Sequence, residues 1–137
     1  MKTHALWLSA LLFTLCLAPS SPVHAAAAAP KTAHKNVNPE EFEKLSKEPD
    51  TVILDVRSPQ EYARGHIKNS VLINFNDKNF DEKIKQLDKG KTYLVHCAVG
   101  GRSAKACDKL DTYGFQKVVN LEGGIKAWEK AGKPVEK

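Results

Sequence analysis

The segment His96-Cys97-Ala98-Val99-Gly100-Gly101-Arg102-Ser103 combines the residue types and spacing best suited to chemistry in this chain. It has a cysteine at the tip of an apolar run, two glycines that let the backbone curl, and an arginine where a helical pattern begins. That order would turn successive N–H groups into one concavity. The concavity suits an anion, and it suits a thiolate equally well. A free cysteine has a pKa of about 8.5 and is only about 3% ionised at pH 7, whereas helix N-termini and a nearby arginine bring cysteines to about 3.5–7.5. Cys97 is therefore the candidate nucleophile. Arg102 is the candidate for anion binding and thiolate stabilisation, and Ala98, Val99, Gly100, Gly101 and Ser103 form the candidate substrate-binding loop.

Other reactive side chains read differently. Asp55 and Arg57 end a neighbouring apolar run and are expected to brace the loop as a structural pair, with His66 as a supporting histidine in a turn. His96 directly precedes Cys97 on a strand, so its side chain should face the opposite side of the sheet and is not expected to act as a base. Cys107 falls in a helix interior beside Ala106 and reads as a small buried residue. A Cys97–Cys107 disulfide is disfavoured because the helix rises about 7.5 Å between Arg102 and Cys107, and bridged Cα atoms lie within about 7 Å. Cys97, Cys107 and His96 lack metal-site spacing, so no metal is expected. Gly123-Gly124 precedes a helix without a G-x-G-x-x-G pattern, which argues against a nucleotide site. Trp128 is expected at the core or rim of the last helix.

The elements that must hold these residues alternate. Asn38-Pro39-Glu40-Glu41 opens a helix reaching about Lys47, with an Asn cap and Pro at the first helical position. Thr51–Val56 is a continuous apolar run of the kind buried on both faces of a parallel sheet. Ser58-Pro59-Gln60-Glu61 is a capping box that starts a second helix. Strands are expected over Ser70–Ile73, Thr92–His96 and Lys117–Asn120, and helices over Phe80–Leu87, Ser103–Thr112 and Ile125–Ala131. This alternation predicts an α/β fold with a central, mostly parallel sheet and helices on both faces. Ligands in such folds bind beyond the carboxyl ends of the strands.

Three further motifs accompany the cysteine loop in order. Asp55-Val56-Arg57 with Glu61-Tyr62, Gly65-His66-Ile67-Lys68-Asn69-Ser70, and Leu121-Glu122-Gly123-Gly124-Ile125-Lys126-Ala127-Trp128 resemble the D-V-R-x-x-x-E-[YF], G-H-I-x-G-A and L-x-G-G-[IF]-x-x-W segments of the rhodaneses. Cys97 to Ser103 is similar to their C-x-x-G-x-R-S loop. The resemblance covers about Asn36 to Lys133 and departs at Asn69-Ser70, where Gly-Ala is usual. It implies a three-layer rhodanese-like fold and a single-domain sulfurtransferase. Cys97 would take a sulfane sulfur from a donor such as thiosulfate as a persulfide, then pass it to cyanide, a thiol or a protein acceptor, with no metal or organic cofactor required. Rhodanese-like domains also serve as binding or regulatory modules, although those often lack the cysteine. A cysteine phosphatase is the nearest enzymatic rival, but its loop is one residue longer than this one.

The chain has 137 residues, 42% hydrophobic and 27% charged, with 8 Gly and 7 Pro. That range fits one globular domain and excludes collagenous, coiled-coil and multi-pass membrane proteins. Lys2 and the apolar run Ala5–Ala18, followed by Pro19, Pro22 and Val23-His24-Ala25, have the order of a secretory signal peptide. The run has 14 residues, and crossing a bilayer takes about 20. Residues 1–25 are thus expected to be removed, with cleavage between Ala25 and Ala29. Residues 26–35 would form a flexible tether, 36–133 the rhodanese domain and 134–137 a tail. The product is expected in the periplasm or secreted, with no membrane attachment. Its lysines are dispersed among acids, which argues against nucleic-acid binding.

Overall fold

The computed structural model describes residues 33–137. Its elements are β1 (Lys35–Val37), α1 (Pro39–Leu45), β2 (Thr51–Asp55), α2 (Pro59–Arg64), β3 (Val71–Leu72), α3 (Phe80–Lys85), β4 (Thr92–His96), α4 (Gly101–Thr112), β5 (Val118–Leu121) and α5 (Gly124–Lys130). All strand pairs are parallel and the sheet runs β1-β5-β4-β2-β3. From β2 the chain moves outward to β3, and from β4 it moves outward the other way to β5. The switch point therefore lies between β2 and β4, where Asp55 pairs in register with His96. That is where an open parallel sheet offers a crevice for ligands.

Alternation along the strands divides the core in two. Leu54, Tyr93, Val95 and Val118 pack one sheet face against Phe80 and Ile84 of α3 and Ala106, Cys107 and Leu110 of α4. Ile53, Leu94, Val119 and Leu121 pack the other face against Phe42 of α1 and Ile125 and Trp128 of α5. The strands are buried on both faces, which is why they read as unbroken apolar runs. No helix among the described residues is long and apolar enough to cross a membrane.

The first strand was not anticipated. Lys35–Val37 is too short and polar to show a period, and it forms because Asn36 and Val37 pair with Asn120 and Leu121. The Asn120 side-chain amide donates to Asn36 Oδ1 at 2.9 Å. His34 just ahead of it is anchored to α4 through its own N–H and ring Nδ1, both on Asp111 Oδ2 at 2.9 and 3.0 Å. The tether expected over residues 26–35 therefore ends before His34. Its remainder and the signal segment 1–25 lie outside the described residues. The C-terminal segment is also no loose tail: Glu136 and His66 exchange backbone hydrogen bonds of 2.8 and 2.9 Å, and the Trp128 indole donates to the Pro134 carbonyl at 2.9 Å. The His66–Glu136 pairing joins residues distant in sequence, which local patterns do not report.

Helix α4 begins at Gly101, two residues before its expected start, because Gly100 takes the left-handed conformation (φ 105°) that turns the strand into the helix. The expected strand Ser70–Ile73 shrinks to Val71–Leu72 at the sheet edge.

His96 is fully buried under the α1 face, edge-on to the Phe42 ring at 6.3 Å, with Nε2 3.6 Å from Asp55 Oδ2. Burial lowers its pKa to about 4, with Asp55 opposing the fall and Arg57 adding to it. Below its ordinary value near 6.5 the unfolded chain binds a proton that the folded state refuses. Stability should therefore fall as pH drops from 6.5 towards 4, by about 3 kcal/mol in all. Urea unfolding at pH 7 and pH 5 reads this loss, and His96→Asn should flatten the dependence.

Candidate active site

Cys97 lies just past β4, at the carboxyl end of the sheet, and is only 1% exposed. Its Sγ accepts the Gly100 N–H at 3.0 Å and the Ser103 hydroxyl at 3.4 Å. Burial alone would raise the thiol pKa. It is outweighed by the Ser103 hydroxyl and N–H and by the N–H groups of Gly100 and Val99, so the pKa falls below the ordinary value. Ser103 is fully buried, and its single hydroxyl hydrogen has a second acceptor, the Gly100 carbonyl at 3.1 Å. It can turn to whichever acceptor bears more charge, which favours the sulfur once a thiolate forms. Val99, at 61% exposure, forms the crest of the loop.

The outer side of the loop rests on α5. The carbonyls of Cys97 and Ala98 accept the N–H groups of Ile125 and Lys126 at 2.8 and 3.2 Å. This contact needs glycine at position 124: a Cβ there would lie 2.5 Å from the Cys97 carbonyl oxygen, and its φ is +62°. The Gly-Gly pair ahead of the last helix thus exists for close backbone approach, a role its sequence context did not reveal.

Arg102 has a partner that the sequence did not point to. Its guanidinium forms a two-pronged pair with Glu61, Nη1 to Oε2 at 2.8 Å and Nη2 to Oε1 at 2.7 Å. The Cys97 sulfur is a further neighbour of Arg102: Glu61 first and Cys97 after it raise the guanidinium pKa against partial burial. Sequence reasoning saw Glu61 as a helix cap and a family-motif position, not as a partner of Arg102, and it does cap: Glu61 Oε2 accepts the Ser58 N–H at 3.0 Å. Arg102 brings the Glu61 pKa down to about 2 against partial burial, with Ser58 helping, so the carboxylate stays charged at neutral pH.

Asp55 and Arg57 form the buried pair expected of them. Arg57 Nη2 donates to Asp55 Oδ2 at 2.6 Å and to the Gly65 carbonyl at 2.8 Å, while Nε reaches both Asp55 oxygens. His66 stacks on Tyr62 with ring centroids 3.9 Å apart and touches Glu136, away from the thiol. Cys107 is buried under α4 and both cysteines are free. Burial, with Asp111 and Asp108 adding to it, pushes the Cys107 thiol far up. A cleft of about 200 Å³ opens beside the loop, lined by Arg57, Glu61, Arg64, Ala98, Lys126 and Glu129 among others.

This cradle lies at the switch point of a parallel five-stranded sheet, and residues 38–131 match the model of the rhodanese-like domain. The chain belongs to the rhodanese-like domain family. The Bacillus subtilis protein YtwF, which carries a sulfurtransferase name, is 42% identical over 92 residues, 67% of this chain and 86% of that one. The tRNA uridine(34) hydroxylase of Cytophaga hutchinsonii is 43% identical over 98 residues, 69% of this chain, but the match spans only 31% of its length. Among solved structures, a rhodanese-related protein from Thermoplasma volcanium superposes with a TM-score of 0.67 at 37% identity, covering 75% of this chain and 98% of that one. The family match starts at Asn38, after β1.

The Gly124 contact can be tested against a neighbour. At Gly124 the left-handed conformation alone costs an alanine about 1–2 kcal/mol, before the clash with the Cys97 carbonyl is counted. Gly124→Ala should lower the melting temperature by at least about 4–8 °C and slow alkylation of Cys97 at pH 7. Gly101→Ala, whose Cβ would meet nothing within 4 Å, should change the melting temperature little.

Proposed function

We propose that this rhodanese-like domain is a sulfurtransferase that carries a sulfane sulfur on Cys97. The observation that supports it most is the buried Cys97 sulfur accepting hydrogen bonds from Gly100 N–H and the Ser103 hydroxyl. Those donors favour the thiolate needed for attack and would also hold the anionic persulfide that results. With thiosulfate, the Cys97 thiolate attacks the outer sulfur, the S–S bond breaks, and its electron pair leaves with sulfite. Cyanide or a thiolate then attacks the outer sulfur of the persulfide and releases the Cys97 thiolate. No oxidant or reductant enters either half, because the sulfur moves without net redox change.

Loop length weighs against phosphoryl transfer: only Ala98, Val99, Gly100 and Gly101 separate Cys97 from Arg102, one residue fewer than in the cysteine phosphatases. The order of the N-terminal residues supports export to the periplasm or beyond, with sulfur donors and acceptors met there. Intact mass of protein recovered from a periplasmic extract should give a chain starting between Ala26 and Pro30. Membrane-bound material that still carries Met1 would overturn export.

The decisive measurement is intact mass after thiosulfate and then cyanide. A gain of about 32 Da that cyanide removes marks a persulfide on the nucleophile. Cys97→Ser should abolish the gain and all turnover, while Cys107→Ser should keep both and lose some stability. An unchanged mass with several sulfane donors would favour a binding module instead.

A further inference from the structure

The cleft of about 200 Å³ beside the loop has charged walls, and not all of its charges are in use. Five charged residues line it: Arg57, Glu61, Arg64, Lys126 and Glu129. Arg57 is committed to Asp55 and the Gly65 carbonyl, and Glu61 to Arg102 and the Ser58 N–H. Arg64, Lys126 and Glu129 are exposed, and none of the three has a salt-bridge partner among the described residues. Lys126 and Glu129 stand three positions apart on α5, so they share a helix face, yet the ion pair this spacing allows is not formed.

The three come from both walls of the cleft. Arg64 ends α2, where Arg57 grips the next carbonyl, that of Gly65. Lys126 is fixed to the loop itself, because its N–H donates to the carbonyl of Ala98, the residue after the nucleophile, at 3.2 Å. Lys126 falls at an open position of the L-x-G-G-[IF]-x-x-W segment, Glu129 follows its tryptophan, and Arg64 lies between two other segments. The shared motifs therefore do not prescribe this set. Two free cations and one free carboxylate around a small cleft complement a molecule that bears a carboxylate and an ammonium close together. A guanidinium fork suits a carboxylate, and an ammonium needs an acceptor such as Glu129.

We infer that Arg64, Lys126 and Glu129 form an acceptor subsite for the α-amino-acid head of a small thiol such as cysteine, with Arg64 and Lys126 on the α-carboxylate and Glu129 on the α-ammonium. The inference rests on the sulfurtransferase reading and names the acceptor class for that same site. The acceptor's thiolate attacks the outer sulfur of Cys97–S–S⁻ and the S–S bond breaks. The electron pair of that bond stays on Cys97 as its thiolate, and R–S–S⁻ leaves.

Three thiols with the same sulfur-bearing chain separate the contacts: cysteine has both groups, cysteamine lacks the carboxylate, and 3-mercaptopropionate lacks the ammonium. The full mature chain is loaded with thiosulfate, freed of excess donor and mixed with each thiol, and the rate at which the adduct of about 32 Da disappears is followed by intact mass. Arg64→Gln should lower the cysteine-to-cysteamine rate ratio about fivefold and leave the cysteine-to-mercaptopropionate ratio unchanged. Glu129→Gln should do the reverse. Lys126→Gln should follow Arg64→Gln, and Lys130→Gln, on the same helix but outside the cleft, should move neither ratio. Each ratio compares two thiols on one protein before proteins are compared, so differences in thiol reactivity and in overall activity cancel. The side chains replaced are exposed and unpaired, so the variants should fold as wild type does. Ratios that stay put in Arg64→Gln and Glu129→Gln, or that shift alike in both, would overturn the subsite. An adduct that never forms in wild type with any sulfane donor would instead overturn the sulfurtransferase reading, and the subsite with it.

Discussion

The Cys97 and Ala98 carbonyls accepting N–H groups from the start of α5 are the contact on which the site depends. A peptide plane has two polar ends pointing opposite ways. Pinning these carbonyls outward leaves the following N–H groups free to turn inward on the sulfur. Gly100 in the left-handed conformation completes the turn, and α4 then starts with Ser103 in reach of the thiol. The approach is so close that only a residue without Cβ fits at position 124. The most reactive atom is thereby controlled by a segment more than twenty residues downstream.

Two ion pairs fix the loop from the β2 side, and they differ in kind. Asp55–Arg57 is almost fully buried, is completed by the Gly65 carbonyl, and ties the end of β2 to the turn after α2. Such a pair contributes little net stability over an apolar equivalent, but removing one partner would strand a buried charge. Glu61–Arg102 is half-open to solvent and joins the first turns of α2 and α4. Helix α2 buries no residue of its own and is positioned by these polar contacts. Further out, the C-terminal strand residue Glu136 closes over His66, so the chain's end supports the same turn that Arg57 grips.

The two cysteines show how far environment decides chemistry. Both are free and buried on the same side of the sheet. Cys97 meets four hydrogen-bond donors at a helix start, and its thiol is driven towards ionisation. Cys107 lies inside α4, beyond its first turn, packed among apolar side chains with Asp111 and Asp108 nearby, and is driven the other way. Desolvation is common to both. The difference is the oriented N–H groups and the Ser103 hydroxyl, which only the first turn of a helix can supply.

The sequence by itself determined the order of strands and helices after β1, the parallel sheet, Cys97 at a strand tip, the capping box at Ser58 and the turn of His96 to the sheet face opposite Cys97. These follow from nearest neighbours along the chain: apolar runs, caps, and the two-residue alternation of a strand. The tertiary structure alone decided what joins distant residues. It paired Arg102 with Glu61, made Gly124 a seat for the Cys97 carbonyl, drew His34 and Lys35 into the fold, and strapped Glu136 to His66. A charge in a sequence shows which kind of partner it needs but not which one it meets. That choice belongs to the folded backbone, which brings residues dozens of positions apart within hydrogen-bond reach.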